Sequence, residues 1–244
     1  MLELKKLSFS YIHNGKKISA LQDIDFSIEK GDFVSIVGSS GAGKTTLLKL
    51  IAGLLQPTQG EILFNDKKIT APSRDRGLVF QQFSLFPWLT VKENVAFGLK
   101  LKNYFDKDWK EKTNQILTDF GLVNFAESYP KNLSGGMQQR VAIARTMVIN
   151  PEIILMDEPF GSLDAQTRSK MQEFLAGVYE KTKKTIIFVT HDIEESIFLA
   201  DRVLVVSNGG IQEIVVDLPR PRKLSAKYSN DFQACVSKVR ALIL

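Results

Sequence analysis

Apolar residues follow two rhythms in this chain, and the rhythm changes with position. Near the start they alternate with polar residues, loosely at Leu2, Leu4 and Leu7 and cleanly in Ile24-Asp25-Phe26-Ser27-Ile28. A period of two puts alternate side chains on opposite faces, which predicts half-buried strands. Gly60-Glu61-Ile62-Leu63-Phe64 is predicted as another strand, entered through a turn from Pro57 to Gly60. Phe33-Val34-Ser35-Ile36-Val37, Gly77–Phe80, Ile153–Met156 and Thr185–Val189 are apolar almost throughout and read as core strands, with short strands at Val203–Val206 and Ile214–Val216. Helical spacing appears at Lys44–Leu54, Val91–Lys102, Asp106–Phe120, Ser134–Val148 and Ala165–Lys181, and from Leu224 a closing helix is predicted. Strands alternating with helices predict an α/β fold whose sheet is mainly parallel. The early strands predict an antiparallel β subdomain, and the middle third an inserted α-helical subdomain.

Composition narrows the picture only a little. The 244 residues, 44% hydrophobic and 24% charged, are ordinary for a soluble globular chain with ample core. A net charge of +5 is mildly basic, which suits work beside an anionic membrane surface as well as near nucleic acid. No stretch is long and apolar enough to span a bilayer, and no signal segment opens the chain. A single cysteine, Cys235, points to a reducing cytosol.

Gly38-Ser39-Ser40-Gly41-Ala42-Gly43-Lys44-Thr45 fits the pattern G-x-x-x-x-G-K-S/T between a predicted strand and a predicted helix. Glycines let backbone N–H groups turn inward onto a phosphate, and the positive end of the helix faces the same anion. Lys44 can reach the outer phosphates of a nucleotide, and the Thr45 hydroxyl can ligate Mg²⁺. The plainer reading of the same residues is a glycine turn that joins strand to helix.

Leu133-Ser134-Gly135-Gly136-Met137 opens a second helix, with Ser134 as a natural N-cap. Two glycines in a first turn cost about 1 kcal/mol each against alanine. Close approach of a phosphate to bare backbone would justify them; a plain capped helix would not need them. Asp157 and Glu158 stand where an apolar strand ends, and leave it on opposite sides, so the two carboxylates can hold different jobs.

Taken together, these motifs resemble the nucleotide-binding subunits of ATP-binding cassette (ABC) transporters, over nearly the whole chain. Gly38 to Thr45, followed by Thr46, matches the Walker A loop; Gln81 the Q-loop; Ser134, Gly135 and Gly136 the signature loop; Asp157 Walker B, with Glu158 as catalytic carboxylate; Ser162-Leu163-Asp164 the D-loop; and His191 the switch histidine. The signature loop departs from the family's pattern by ending in Met137 rather than glutamine. Asp75-Arg76-Gly77, Phe86-Pro87-Trp88-Leu89-Thr90-Val91, Met137 itself and Leu218-Pro219-Arg220-Pro221-Arg222 resemble the nitrate/sulfonate/taurine-type importer branch.

The resemblance implies a P-loop NTPase (RecA-like) core in a single nucleotide-binding domain over 1–244. Residues 1–85 and 151–222 would form the core with its antiparallel patch, 86–150 the helical subdomain and 223–244 the C-terminal helix. It implies an ATPase using ATP and Mg²⁺, with the metal served by Thr45, Gln81 and Asp157, and catalysis by Glu158, His191, Lys44 and Gln81. Tyr11 would stack on adenine, and Ser39, Ser40, Gly41, Ala42, Gly43 and Thr46 would line the nucleotide. The implied partners are a second copy, whose Ser134–Gly136 loop and Asp164 cap the shared ATP, membrane permease subunits, and indirectly an extracytoplasmic solute-binding protein; no nucleic acid is implied. The place of work would be the cytoplasmic face of the membrane. Apolar Phe83, Phe86, Pro87, Trp88 and Leu89 would dock a permease loop, or else bury into the helical lobe. Two other readings stay open: a soluble ABC ATPase outside transport, and an ATP-sensing module without useful turnover.

Overall fold

The computed structural model describes residues 1–13, 15–101, 105–207 and 210–243. Two sheets organise it. The smaller has the order β2-β1-β4-β5, built from β1 (Leu2–His13), β2 (Lys16–Ile28), β4 (Gln59–Phe64) and β5 (Lys67–Lys68), all antiparallel. The larger has the order β10-β9-β3-β8-β7-β6, from β3 (Phe33–Gly38), β6 (Arg76–Val79), β7 (Ile153–Asp157), β8 (Thr185–Val189), β9 (Arg202–Ser207) and β10 (Gly210–Val215). Its pairings are parallel except that β10 runs against β9.

The continuous apolar runs are explained by cover on both faces of this larger sheet. Along β3, Phe33 and Val37 join one buried cluster while Val34 and Ile36 join the other; β7 and β8 split in the same alternating way. The second cluster holds α1 (Lys44–Ala52) and the inner face of the small sheet. The first holds residues of α2 (Val91–Ala96), α4 (Gly135–Met147), α5 (Ala165–Thr182), α6 (Ile193–Leu199) and α7 (Asn230–Ile243), with Leu117 of α3 (Trp109–Asp119). Among the described residues only helices lie between β6 and β7.

Three predicted helices are shorter than expected. The helix predicted at Val91–Lys102 ends at Ala96 and continues as a 3₁₀ turn, Phe97–Leu99; Gly98 sits there, where a Cβ would come within 2.8 Å of Ile149 Cγ2. Its expected end, Lys102, lies outside the described residues. The helix predicted from Asp106 starts at Trp109, because the Asp106 carboxylate takes the backbone N–H of Asp108 and holds a turn. The closing helix splits into a 3₁₀ turn, Leu224–Tyr228, and α7, with Ser229 Oγ accepting the N–H of Phe232 at the break.

What matters for function is the shared edge. Asp157 of β7 pairs with Val189 of β8, and Val189 pairs with Ile36 of β3. Gly38, Glu158 and His191 therefore leave the sheet at one end, where open parallel sheets hold their ligands.

Candidate functional site

The loop after β3 is shaped by backbone crowding. A Cβ on Gly38 would stand 2.3 Å from the carbonyl oxygen of Val206, and one on Gly43 2.6 Å from that of Ala20. Gly43 also has φ 97° and opens α1 with no side chain capping it. The first N–H groups of α1 thus have no side-chain acceptor, which suits an anion. Lys44 Nζ folds back to donate to the carbonyl oxygens of Gly38 and Ser39, both at 2.9 Å. Burial lowers the pKa of Lys44 from the ordinary lysine range, against the pull of Glu158 and Asp157.

Thr45 Oγ1 donates to Asp157 Oδ1 at 3.0 Å, which ties the start of α1 to the end of β7. Burial pushes the Asp157 carboxyl above the usual range; the Thr45 hydrogen bond opposes this and the charge of Glu158 adds to it. Glu158 follows with φ 43°, its N–H donating to the carbonyl of Val189 at 2.9 Å. That left-handed turn accompanies a carboxylate whose Oε2 lies 3.0 Å from His191 Nδ1. A left-handed backbone at a non-glycine residue is costly and collects at working sites.

Tyr11, Ser40 to Thr46, Glu158 and His191 line one cleft of about 530 Å³, together with Ile18, Ser19 and Ala20 of β2. Tyr11 OH bonds to Thr46 Oγ1 at 2.9 Å, and its ring meets Phe9 edge-on at 4.9 Å. Ser39 sits on an adjoining hollow with Gln22. Asp157 reaches the cleft through Thr45. Gln81 is exposed, and its Nε2 and the Glu158 Oε2 each lie 3.7 Å from where a Cβ on Gly161 would stand.

Ser134, Gly135, Gly136 and Asp164 do not line this cleft. They gather at a second place, where α4 and α5 begin side by side. Ser134 Oγ accepts the N–H of Met137, and Asp164 Oδ1 that of Thr167. Gly136 is buried against α5, and a Cβ there would stand 2.6 Å from Thr167 Cγ2. The glycine that the sequence seemed to reserve for a phosphate thus has a packing reason inside the chain.

Three residues escaped the sequence reading. Ile18 is the register partner of Tyr11 across the first hairpin, so pairing alternation could have placed it beside the aromatic ring. Asn94, fully buried, clamps the loop from Phe86 to Thr90; the capping box Thr90-x-x-Glu93 that starts its helix was its only signal. Glu195, unremarked in the sequence beside Glu194, is buried.

A magnesium ion fits the oxygen set. Among the described residues no three His, Cys, Asp or Glu side chains gather as a metal site. Mg²⁺ does not require them: it keeps waters and substrate phosphate oxygens and takes one or two protein oxygens. The Thr45 hydroxyl and the Asp157 carboxylate, 3.0 Å apart, provide those, and a cation would relieve the buried charge of Asp157.

A family model described as ABC transporter matches residues 21–161. The nitrate import ATP-binding protein NrtD of Synechocystis sp. is 48% identical over 221 residues, covering 89% of this chain and 83% of that protein. The aliphatic sulfonates import ATP-binding protein SsuB of Bacillus cereus is 48% identical over 225 residues, covering 91% and 87%. A dimeric structure of an ATP-binding cassette in a post-hydrolysis state, bound to ADP and Pi, superposes with a TM-score of 0.77 at 36% identity, covering 90% of this chain and all of that one. The chain belongs to the ABC transporter family as one of its ATP-hydrolysing cassettes.

Proposed function

We propose that this chain energises an importer from the cytoplasmic face of the membrane, hydrolysing ATP between two copies of itself. The observation that carries the reading is the contact of Glu158 Oε2 with His191 Nδ1 at the mouth of the cleft that also holds Lys44 and the glycine loop. Phosphoryl transfer asks a protein mainly for position and charge. Lys44, released from the two loop carbonyls, serves the β- and γ-phosphates, while the open N–H groups of α1 face the same oxygens. Glu158 orients the attacking water and takes its proton as the new phosphorus–oxygen bond forms and the bond to ADP breaks. His191 holds Glu158 and serves the γ-phosphate. Thr45 and Asp157, with Gln81, would hold Mg²⁺, which would supply charge neutralisation at the phosphates. Tyr11 stacks on the base.

The loop Ser134–Gly136 and Asp164 lie apart from their own chain's cleft, which supports their service to the nucleotide of a second copy packed head to tail. ATP then closes the pair, and hydrolysis opens it. Trp88 is 70% exposed beside Phe86, on a loop clamped by buried Asn94, which supports docking of a permease segment there. No described helix is long and apolar enough to cross a membrane, so these residues offer no pore of their own. Relatives named for nitrate and aliphatic sulfonates support a small anionic solute of that class, delivered by an extracytoplasmic binding protein.

Glu158→Gln tests the centre of this reading. It should bind ATP, lose steady hydrolysis by about 10²-fold or more, and accumulate as a nucleotide-locked dimer in light scattering. Undiminished turnover would remove Glu158 from the role of base.

A further inference from the structure

His191 is held from below by a chain of hydrogen bonds whose members do not line the nucleotide cleft. Glu195 on α6 is only 3% exposed. Its Oε2 accepts from Thr190 Oγ1 at 2.5 Å, and its Oε1 from Gln172 Nε2 of α5 at 3.0 Å. Thr190 Oγ1 in turn accepts the backbone N–H of Asp192 at 3.1 Å. The Thr190 hydroxyl therefore ties the residue before His191 to the residue after it and to one carboxylate, beside the bonds from Thr190 N–H to the Ile36 carbonyl and from Glu195 N–H to Asp192 Oδ1.

The direction of the bonds through Gln172 is forced. Lys227 Nζ, which can only donate, gives to Gln172 Oε1 at 3.0 Å. The Gln172 amide must then present its N–H to Glu195, and a carboxylate is the group that takes two donors at once. Burial raises the Glu195 carboxyl above its usual range, with the donors Thr190 and Gln172 and the nearby Arg168 opposing. Arg168 also donates to the carbonyl of Leu163 at 2.8 Å, beside Asp164. Burying a carboxylate is expensive, and an apolar side chain would fill the space at less cost. Fixing one conformation of the segment that carries the histidine is what the carboxylate adds.

We propose that Glu195 is a positioning residue for ATP hydrolysis: acting through Thr190, it holds the segment bearing His191 so that Nδ1 meets the Glu158 carboxylate. This rests on the pairing of His191 with Glu158 in the function proposed above.

The test uses the full chain, whose two histidines, His13 and His191, keep its imidazole NMR spectrum simple. His191→Ala identifies the signal by its loss. Thr190→Val removes the hydroxyl at nearly constant volume. It should shift the His191 ring resonances and lower kcat by about ten- to a hundredfold, with KM for ATP changed by less than about twofold. Thr190→Ser should recover both readings. Glu195→Gln, which sets an amide donor against that of Gln172, should show the same split and serves if Thr190→Val does not fold. On a His191→Ala background, Thr190→Val should cost no further activity. Unmoved His191 resonances in folded Thr190→Val or Glu195→Gln would overturn the proposal, as would an equal loss on the His191→Ala background. If His191→Ala keeps full turnover, the catalytic pairing falls, while the resonance shift still decides whether Glu195 positions the ring.

Discussion

Replacing Asn94 with aspartate would change a few atoms of a buried clamp and should be felt at a distance. The Asn94 carboxamide accepts from Phe86 N at 2.8 Å, and its two N–H donors are shared among the carbonyl oxygens of Phe86, Leu89 and Thr90 at 3.1, 3.0 and 3.0 Å. Asn94→Asp keeps the acceptor and the shape but sets a carboxylate against three carbonyl oxygens. Phe86 O keeps the N–H of Leu89 and Thr90 O keeps that of Asn94, so the Leu89 carbonyl loses most. One orphaned buried group costs about 1–3 kcal/mol, and a buried charge without a partner adds a penalty of similar size or more. Together these predict a loss of about 2–6 kcal/mol, or roughly 4–24 °C in Tm for a chain of this length. Protonating the introduced carboxyl restores a donor, so the deficit should shrink as pH falls toward the carboxylate range and be full at neutral pH. Scanning calorimetry at several pH values reads this directly. Permease-stimulated ATPase should fall further than basal ATPase, because the clamped loop carries Trp88. A variant as stable as the parent at neutral pH would refute the clamp.

Other outcomes follow from the site. Asp157→Asn should raise the Tm of the nucleotide-free chain at neutral pH while removing Mg²⁺-dependent hydrolysis. Its carboxyl titrates higher folded than unfolded, so folding binds protons, stability falls as pH rises through that window, and the amide avoids the loss; a lower Tm in calorimetry would contradict this. Gly136→Ala should cost about 1–3 kcal/mol by overpacking against Thr167, and Thr167→Ser in the same chain should recover most of it in urea unfolding; no recovery would show that the crowding lies elsewhere. Lys44→Ala should weaken ATP binding by calorimetry, and unchanged affinity would remove the phosphate role.

The elements were legible where a segment's own pattern decides its state. The run Phe33 to Val37 reads as a strand covered on both faces, and so it lies, because its two sets of side chains enter two separate clusters. Ser134 was readable as a helix start because capping uses only neighbouring atoms. Gly38, Gly43 and Lys44 were readable because their loop is contiguous. What escaped depends on distant partners. β5, only Lys67–Lys68, has two exposed lysines and exists by pairing with β4. Glu195 carries the composition of a surface helix, and only Thr190, Gln172 and the distant Lys227 make it a core residue.

The glycines of the signature loop show how far a cost argument can reach. Two glycines in a first turn need a reason, and the sequence offers phosphate as that reason. Gly136 has another one in Thr167, so its presence no longer speaks for a ligand. Gly135 is less confined: a Cβ there would meet Leu163 Cδ2 at 3.2 Å, a contact that a leucine tip can yield. Ser134 Oγ caps Met137, not Gly135 or Gly136, so it leaves the two glycine N–H groups at the positive end of a thirteen-residue helix. The case for a shared nucleotide therefore rests on those two glycine N–H groups and their separation from the chain's own cleft. It does not rest on the expense of the glycines.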